Sequence, residues 1–285
     1  MEKIKSSKLK SLLTVALVYL VAISGGIIIY DMLTFNMAVS LLIADVIATL
    51  IVYIYSVVLE NASAYDPYWS VAPMVVSVYC AFSGGFNFVS ALIFVAVMIW
   101  GARLTLNWAY TFANLKWQDW RYTMLSEKTG RAYPLISLLG IHMFPTLVVY
   151  LCMLPMVYAF EYELEFNFGS LYFFLVSISA VILQGVSDCQ MHKFRKNRSG
   201  RFIRSGLWKH SRHPNYLGEI AMWWGVAFTF VFAKPEMWYL CIGALVNTLM
   251  FLFVSIPMQD KRQSLKEGFS EYKKETRALF PIRKR

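Results

Sequence analysis

Long apolar runs, among them Leu12 to Tyr30, Met37 to Leu59 and Phe88 to Trp100, decide most of what this chain can become. A run near 20 residues is what a helix needs to cross hydrocarbon. Inside a bilayer only helices or closed barrels satisfy their own backbone groups, and the strict alternation of a barrel strand is absent here. With 58% hydrophobic and only 15% charged residues in 285, the chain is too apolar for an ordinary soluble domain. The expected fold is therefore all-α, a polytopic membrane helical bundle of about seven to eight transmembrane helices.

Eight spans fit the pattern: Leu12 to Tyr30, Met37 to Leu59, Val71 to Phe82, Phe86 to Tyr110, Leu135 to Phe160, Leu171 to Val186, Leu217 to Ala233 and Met237 to Ile256. The third is short and begins near Pro73, so a re-entrant or interfacial segment is the alternative, which lowers the count to seven. Pro145 and Pro155 remove backbone donors from the fifth and are expected to kink or break it. The net charge of +10 is not spread over one face; it collects in the N-terminal tail, in Lys193 to Arg212 and after Asp260. That is a topology signal rather than a nucleic-acid footprint, and an even number of spans places both basic termini in the cytoplasm of a bacterial inner membrane or endoplasmic reticulum. Some of the tail charge can also contact anionic lipid. No repeat or long linker divides the chain, so residues 1–285 read as a single integral membrane domain. Cys80, Cys152, Cys189 and Cys241 lie in or beside apolar segments without metal-ligand spacing and read as structural thiols; no metal site is expected.

Chemistry concentrates where the basic loop meets an apolar segment, in SRHPNYLGE from Ser211 to Glu219. Polar groups at such a boundary are costly, and they ordinarily serve a purpose. Asn215 and Glu219 stand at i, i+4, on one helical face. Upstream, Gln184, Asp188, His192 and Arg195 form one stripe on a helix leaving the membrane, which is either a wet face or part of a site. The tail DKRQSLKEGFSEYKKETRALFP keeps Phe269, Tyr272, Leu279 and Phe280, more apolar anchors than a disordered tail needs, so part of it is expected to dock back. Arg195, Arg212 and Arg262 would then surround a pyrophosphate or carboxylate.

GLWKHSRHPNYLGEIAMWWG, the preceding SDCQMHKFR and the terminal FSEYKKETRALFP together resemble the membrane steroid 5α-reductase superfamily (3-oxo-5α-steroid 4-dehydrogenase, C-terminal domain), in particular its bacterial DUF1295 branch. The resemblance covers residues 183–281 and implies a cofactor-binding part that holds NADPH within a helical membrane fold, without a dinucleotide-binding sheet. It carries cofactor contacts onto Asp188, Arg195, Asn215, Glu219, Arg262 and Tyr272, and onto Arg212, His213 and Tyr216 of the RHPNY form. That RHP form also occurs in membrane methyltransferases.

In the N-terminal half, ENASAYDPYWSVAP from Glu60 to Pro73 has a DPYW core that is similar to the same branch. The resemblance sets Glu60 where the reductases place an acid that polarises the substrate carbonyl. Reduction of a carbon-carbon double bond conjugated to a carbonyl needs a donor for the developing enolate oxygen, and Glu60, Asp66 or Tyr68 can serve. A plain interfacial belt of Tyr and Trp is the alternative for this segment. Asp119 and Arg121 seal a loop or line an entrance, Asp45 is an intramembrane charge in need of a partner, and Asn61-Ala62-Ser63 is a chance sequon. The implied activity is NADPH-dependent reduction of a lipophilic, steroid-like or other lipid substrate taken from the membrane. Two rivals stand beside it: an S-adenosylmethionine-dependent methyltransferase of the isoprenylcysteine and phospholipid type, and a non-catalytic lipid-binding protein.

Overall fold

A computed structural model describes residues 2–197 and 201–281; residues 198–200 of the expected basic loop and 282–285 of the basic tail lie outside them. Nine helices matter to the site: α1 (Lys8–Met32), α2 (Met37–Val58), α3 (Tyr68–Ser83), α4 (Phe88–Thr111), α5 (Trp120–Glu161), α6 (Phe168–Asn197), α7 (Pro214–Val231), α8 (Pro235–Gln263) and the short α9 (Phe269–Glu275). Six of them, α1, α2, α4, α5, α6 and α8, are long and apolar enough to cross a membrane, so this is an integral multi-pass membrane protein. The two remaining expected spans are helical but fall outside that group. Helix α3 has only 16 residues, and α7 begins with Pro214, Asn215 and Glu219, which dilute its apolar character.

The chain forms two compact units, one from Met1–Gly85 and Val97–Glu161, the other from Phe86–Ala96 and Tyr162–Arg285. In the first, α1 packs along α2, and α3 and α5 complete the core around Val52, Ala64, Tyr65 and Tyr68. Asn36 caps α2, its side chain accepting from the Val39 amide at 2.9 Å. Asp119 caps α5 by accepting from Arg121 N–H at 2.9 Å, and Asn61 donates to the carbonyls of Leu115 and Trp117 at 2.7 and 2.9 Å. The sequon asparagine is thus a buried tie between two loops.

Neither Pro145 nor Pro155 breaks α5. Upstream of Pro145 the helix widens into a π-helical turn over Ser137–Met143, and the His142 ring nitrogen Nδ1 lies 2.9 Å from the Ser137 carbonyl. A wider turn absorbs the missing proline donor without a free carbonyl. Helix α8 repeats the device, with a π turn over Phe251–Ser255 just before Pro257.

The second unit is built on α6 packed along α7. Gly218 and Gly225 make this possible: a Cβ at Gly218 would stand 2.8 Å from the Ala180 carbonyl, and one at Gly225 would stand 2.9 Å from that of Phe173. Helix α6 runs unbroken to Asn197, so Gln184, Asp188, His192 and Arg195 do lie on one helix, grading from buried to exposed.

Candidate functional site

The polar cluster of the second unit is organised by Asp260, on the last turn of α8 and only 4% exposed. Arg212 donates to both of its oxygens, Nη2 to Oδ2 at 2.8 Å and Nε to Oδ1 at 3.3 Å. His213 Nε2 lies 3.0 Å from Oδ1, and Lys273 Nζ lies 3.4 Å from Oδ2. Arg212 also donates to the Thr276 carbonyl. The backbone completes the join, with Arg212 and His213 N–H donating to the carbonyls of Arg277 and Ala278 at 3.0 Å each, around a parallel bridge between Ser211 and Arg277. Tyr272 is buried and donates to the Trp208 carbonyl. Burial pushes its phenol up to about 12, so it stays a donor. The tail therefore docks as expected through Phe269, Tyr272 and Leu279, while Phe280 remains exposed.

This arrangement divides the residues that the sequence groups together. Arg212, His213 and Tyr272 are spent on the latch between loop and tail. Tyr216 stacks on the His213 ring at 5.1 Å. Glu219 is buried, accepting from Gln184 Nε2 at 2.8 Å and Trp223 Nε1 at 3.0 Å. Asp188 is half-buried, and Arg195 and Arg262 are exposed. Arg195 and Arg262 nevertheless share a neighbourhood with Lys266, whose ammonium is held below its ordinary pKa by partial burial and then by Arg262 and Arg195. Arg212 does not join that cationic group, because Asp260 claims it.

Sequence reasoning missed Asp260 and Lys266. A signal for the first was present, since Asp260 is an acid at the end of a span followed directly by Lys261 and Arg262.

What remains available for a ligand is legible from unsatisfied atoms. Among the described residues, Asn215 Oδ1 and Gln184 Oε1 are buried with no hydrogen-bond partner. Buried acceptors of this kind ordinarily find partners, so they suit a ligand that brings amide or hydroxyl donors. With the cations Arg195, Arg262 and Lys266 for phosphate groups, the residues present fit a nicotinamide nucleotide.

In the first unit the three candidate donors separate. Glu60 is the one non-glycine residue among those described with a positive φ, 51°, and its exposed side chain pairs with Lys5 Nζ at 3.1 Å. Asp66 is partly buried and accepts from Tyr122 Oη at 2.5 Å; desolvation pushes its carboxyl up to about 6, against the lowering influence of Arg121. Tyr68, 3% exposed, donates to Asp45 Oδ1 at 2.8 Å, which supplies the partner that the intramembrane charge requires. These two side chains line an apolar cleft of about 70 Å³ that also touches Gly26 of α1, Ala48 of α2 and Ala72 of α3. Neither Glu60 nor Asp66 lines it. Beside it, Thr146 Oγ1 links Thr49 Oγ1 at 3.0 Å to Tyr65 Oη at 2.8 Å, a buried polar bridge that periodicity could not reveal because its members come from three separate segments. Asp119 and Arg121 pair at 2.7 Å and seal the loop start of α5.

The profile of the family described as "Protein of unknown function (DUF1295)" matches residues 52–276. A relative in Schizosaccharomyces pombe (strain 972 / ATCC 24843), described as uncharacterized protein C594.04c, is 27% identical over 196 residues, 59% of this chain and 57% of that protein. The chain thus aligns with little more than half the length of that relative. No solved structure matches. The match takes in Tyr68, Arg212, His213, Asp260 and Tyr272, though Asp45 precedes it, and because it covers most of the sequence this chain belongs to DUF1295.

Proposed function

We propose that this chain is a membrane reductase that uses NADPH to reduce a carbon-carbon double bond conjugated to a carbonyl in a lipophilic substrate. The observation that carries the reading is the Tyr68–Asp45 pair, a hydrogen-bonded phenol and carboxyl in an otherwise apolar cleft. A cleft of that lining admits an apolar body and offers one polar point to orient it. The likeness of SDCQMHKFR, GLWKHSRHPNYLGEIAMWWG and the FSEYKKETRALFP tail to the steroid 5α-reductase superfamily points to the cofactor, and the unsatisfied Asn215 and Gln184 oxygens support it.

Bound NADPH would supply hydride to the carbon β to the carbonyl. The chain's own task is at the oxygen. Tyr68 Oη donates to the carbonyl oxygen, and that bond strengthens as the alkene electron pair moves onto oxygen to form an enolate. Asp45 fixes the Tyr68 rotamer and, in its protonated form, donates to the phenol oxygen so that the phenol proton points to substrate. A proton delivered from water then adds at the α-carbon as the enolate reverts to the carbonyl, completing the saturated ketone and leaving Tyr68 with its own proton. Asn215, Gln184, Arg195, Arg262 and Lys266 would hold the nucleotide, while Arg212, His213, Asp260 and Tyr272 keep the tail in place.

Thermal unfolding of detergent-purified protein with NADPH and, separately, with S-adenosylmethionine tests the reading, since a ligand of the native state raises its apparent stability. Stabilisation by NADPH alone is expected. Stabilisation by S-adenosylmethionine alone replaces the reading with methyl transfer. In an enone-reduction assay, Tyr68→Phe is expected to lower kcat by about 100-fold with NADPH affinity unchanged.

A further inference from the structure

Four hydroxyls and a carboxyl run in file through the core of the first unit. Tyr68 donates to Asp45 Oδ1 at 2.8 Å, and Thr49, one turn along α2 from Asp45, is the phenol's second hydrogen-bonding neighbour. Thr146 then joins Thr49 at 3.0 Å to Tyr65 at 2.8 Å, and in both contacts either oxygen can donate, so the file can point either way. None of Thr49, Tyr65 and Thr146 is more than 2% exposed, so bulk water does not reach these steps. At the outer end the Tyr65 ring packs on His142 at 4.8 Å. The Ser137 carbonyl can only accept, so His142 Nδ1 carries a proton and Nε2 a lone pair. Among the described residues that buried Nε2 has no hydrogen-bond partner, and an acceptor of this kind suits a water molecule. Tyr53 meets the same imidazole edge to face at 5.2 Å and donates to the exposed Pro134 carbonyl, so one ring separates His142 from the surface. The Asp45 end is different, because its cleft is lined almost wholly by apolar side chains, a poor path for a proton.

We propose that Tyr65, Thr146 and Thr49 form a proton relay that loads Asp45, with His142 holding the water at its outer end. A hydrated proton passes from that water to the Tyr65 oxygen. Each hydroxyl receives one proton from the oxygen before it and gives its own to the next, and Tyr68 gives its own to the Asp45 carboxylate. Every O–H is restored, water remains at the outer end, and the carboxyl is neutral. Asp45 then donates to the phenol oxygen, as the reduction requires. The three are positioning residues, acting through Asp45 and Tyr68. Their bearing on catalysis rests on the reductase reading, while proton delivery is testable without it.

Detergent-purified full-length protein in mildly acidic buffer, without cofactor, is transferred to heavy water. The infrared carbonyl stretch of protonated Asp45, identified by its loss in Asp45→Asn, is followed as its proton exchanges. Thr146→Val and Thr49→Val keep the side-chain shape and remove one step, and each should slow exchange by about tenfold or more, one hydrogen bond's worth of barrier. Thr146→Ser should restore the rate. Looser packing speeds exchange, so slowing separates a relay from a structural tie; Tyr65→Phe makes the same test if a valine variant does not fold. Exchange unchanged in these variants, slowing that serine does not reverse, or absence of a carbonyl band that Asp45→Asn removes would each overturn the proposal. NADPH titration of the same samples keeps the two readings apart. Threonine-dependent exchange without NADPH binding retains the relay and removes the reductase, and NADPH binding with threonine-independent exchange does the reverse.

Discussion

Asp260 gathers Arg212, His213 and Lys273 onto one buried carboxylate, and three segments distant in sequence depend on it. Removing one member of such a pair strands the other charge, so Asp260→Ala is expected to cost about 3 to 5 kcal/mol in chemical unfolding. Asp66 behaves in the opposite sense. Its folded pKa is raised from 3.8 to about 6, mainly by desolvation, so the folded state binds its proton more tightly than the unfolded chain. That contribution to stability is complete below pH 4 or so and is lost as pH rises through about 6. Unfolding measured across that window should show stability falling with pH from this group, and Asp66→Asn should flatten the slope. At this scale the sequence revealed residue types but not their employment. The RHPNY segment marked the right neighbourhood, yet whether Arg212 faces a ligand or Asp260 depends on a carboxylate 48 positions away. Likewise Asp45 and Tyr68 are both conspicuous in sequence, and only packing joins them.

At the level of elements, the apolar runs located every long helix, because burial in lipid demands length and composition that nothing else in the chain imitates. Polar helix continues past the apolar stretch, as the Gln184 to Arg195 stripe required: α6 extends to Asn197, beyond the Val186 end of the expected span, carrying Asp188 and Arg195 on rigid backbone. The prolines expected to kink or break the fifth span did not break it, since a π turn precedes Pro145 and the helix runs on through Pro155. The glycine seam between α6 and α7 gives a sharp expectation. Gly218→Ala puts a methyl against the Ala180 carbonyl, backbone that cannot swing aside, and should destabilise by about 2 kcal/mol in thermal unfolding, with Gln184 and Glu219 displaced together. Truncation after Gly268 removes α9 and the Arg277–Ala278 segment whose carbonyls Arg212 and His213 bind. It should abolish NADPH stabilisation and expose the 201–213 segment to limited proteolysis.

For the molecule as a whole, six apolar helices predict that the protein stays in the membrane pellet through alkaline carbonate washing. The concentration of Lys and Arg at both ends leads us to expect both termini on the cytoplasmic face, checked by protease accessibility of terminal tags in sealed vesicles. The π turn at Phe251–Ser255 has a consequence for how the chain tolerates change in length. Each residue added to or taken from a helix turns everything beyond it by about 100°. Because a π turn holds one residue more than an α turn, deleting a single residue from it lets α8 close into regular helix with its azimuth kept, whereas a deletion between Ser255 and Asp260 would dial Asp260 off the azimuth on which Arg212 and His213 wait. The membrane anchor would survive such a deletion while the latch fell out of phase, so α8 is a geared shaft whose tooth count is set in the five residues before the load.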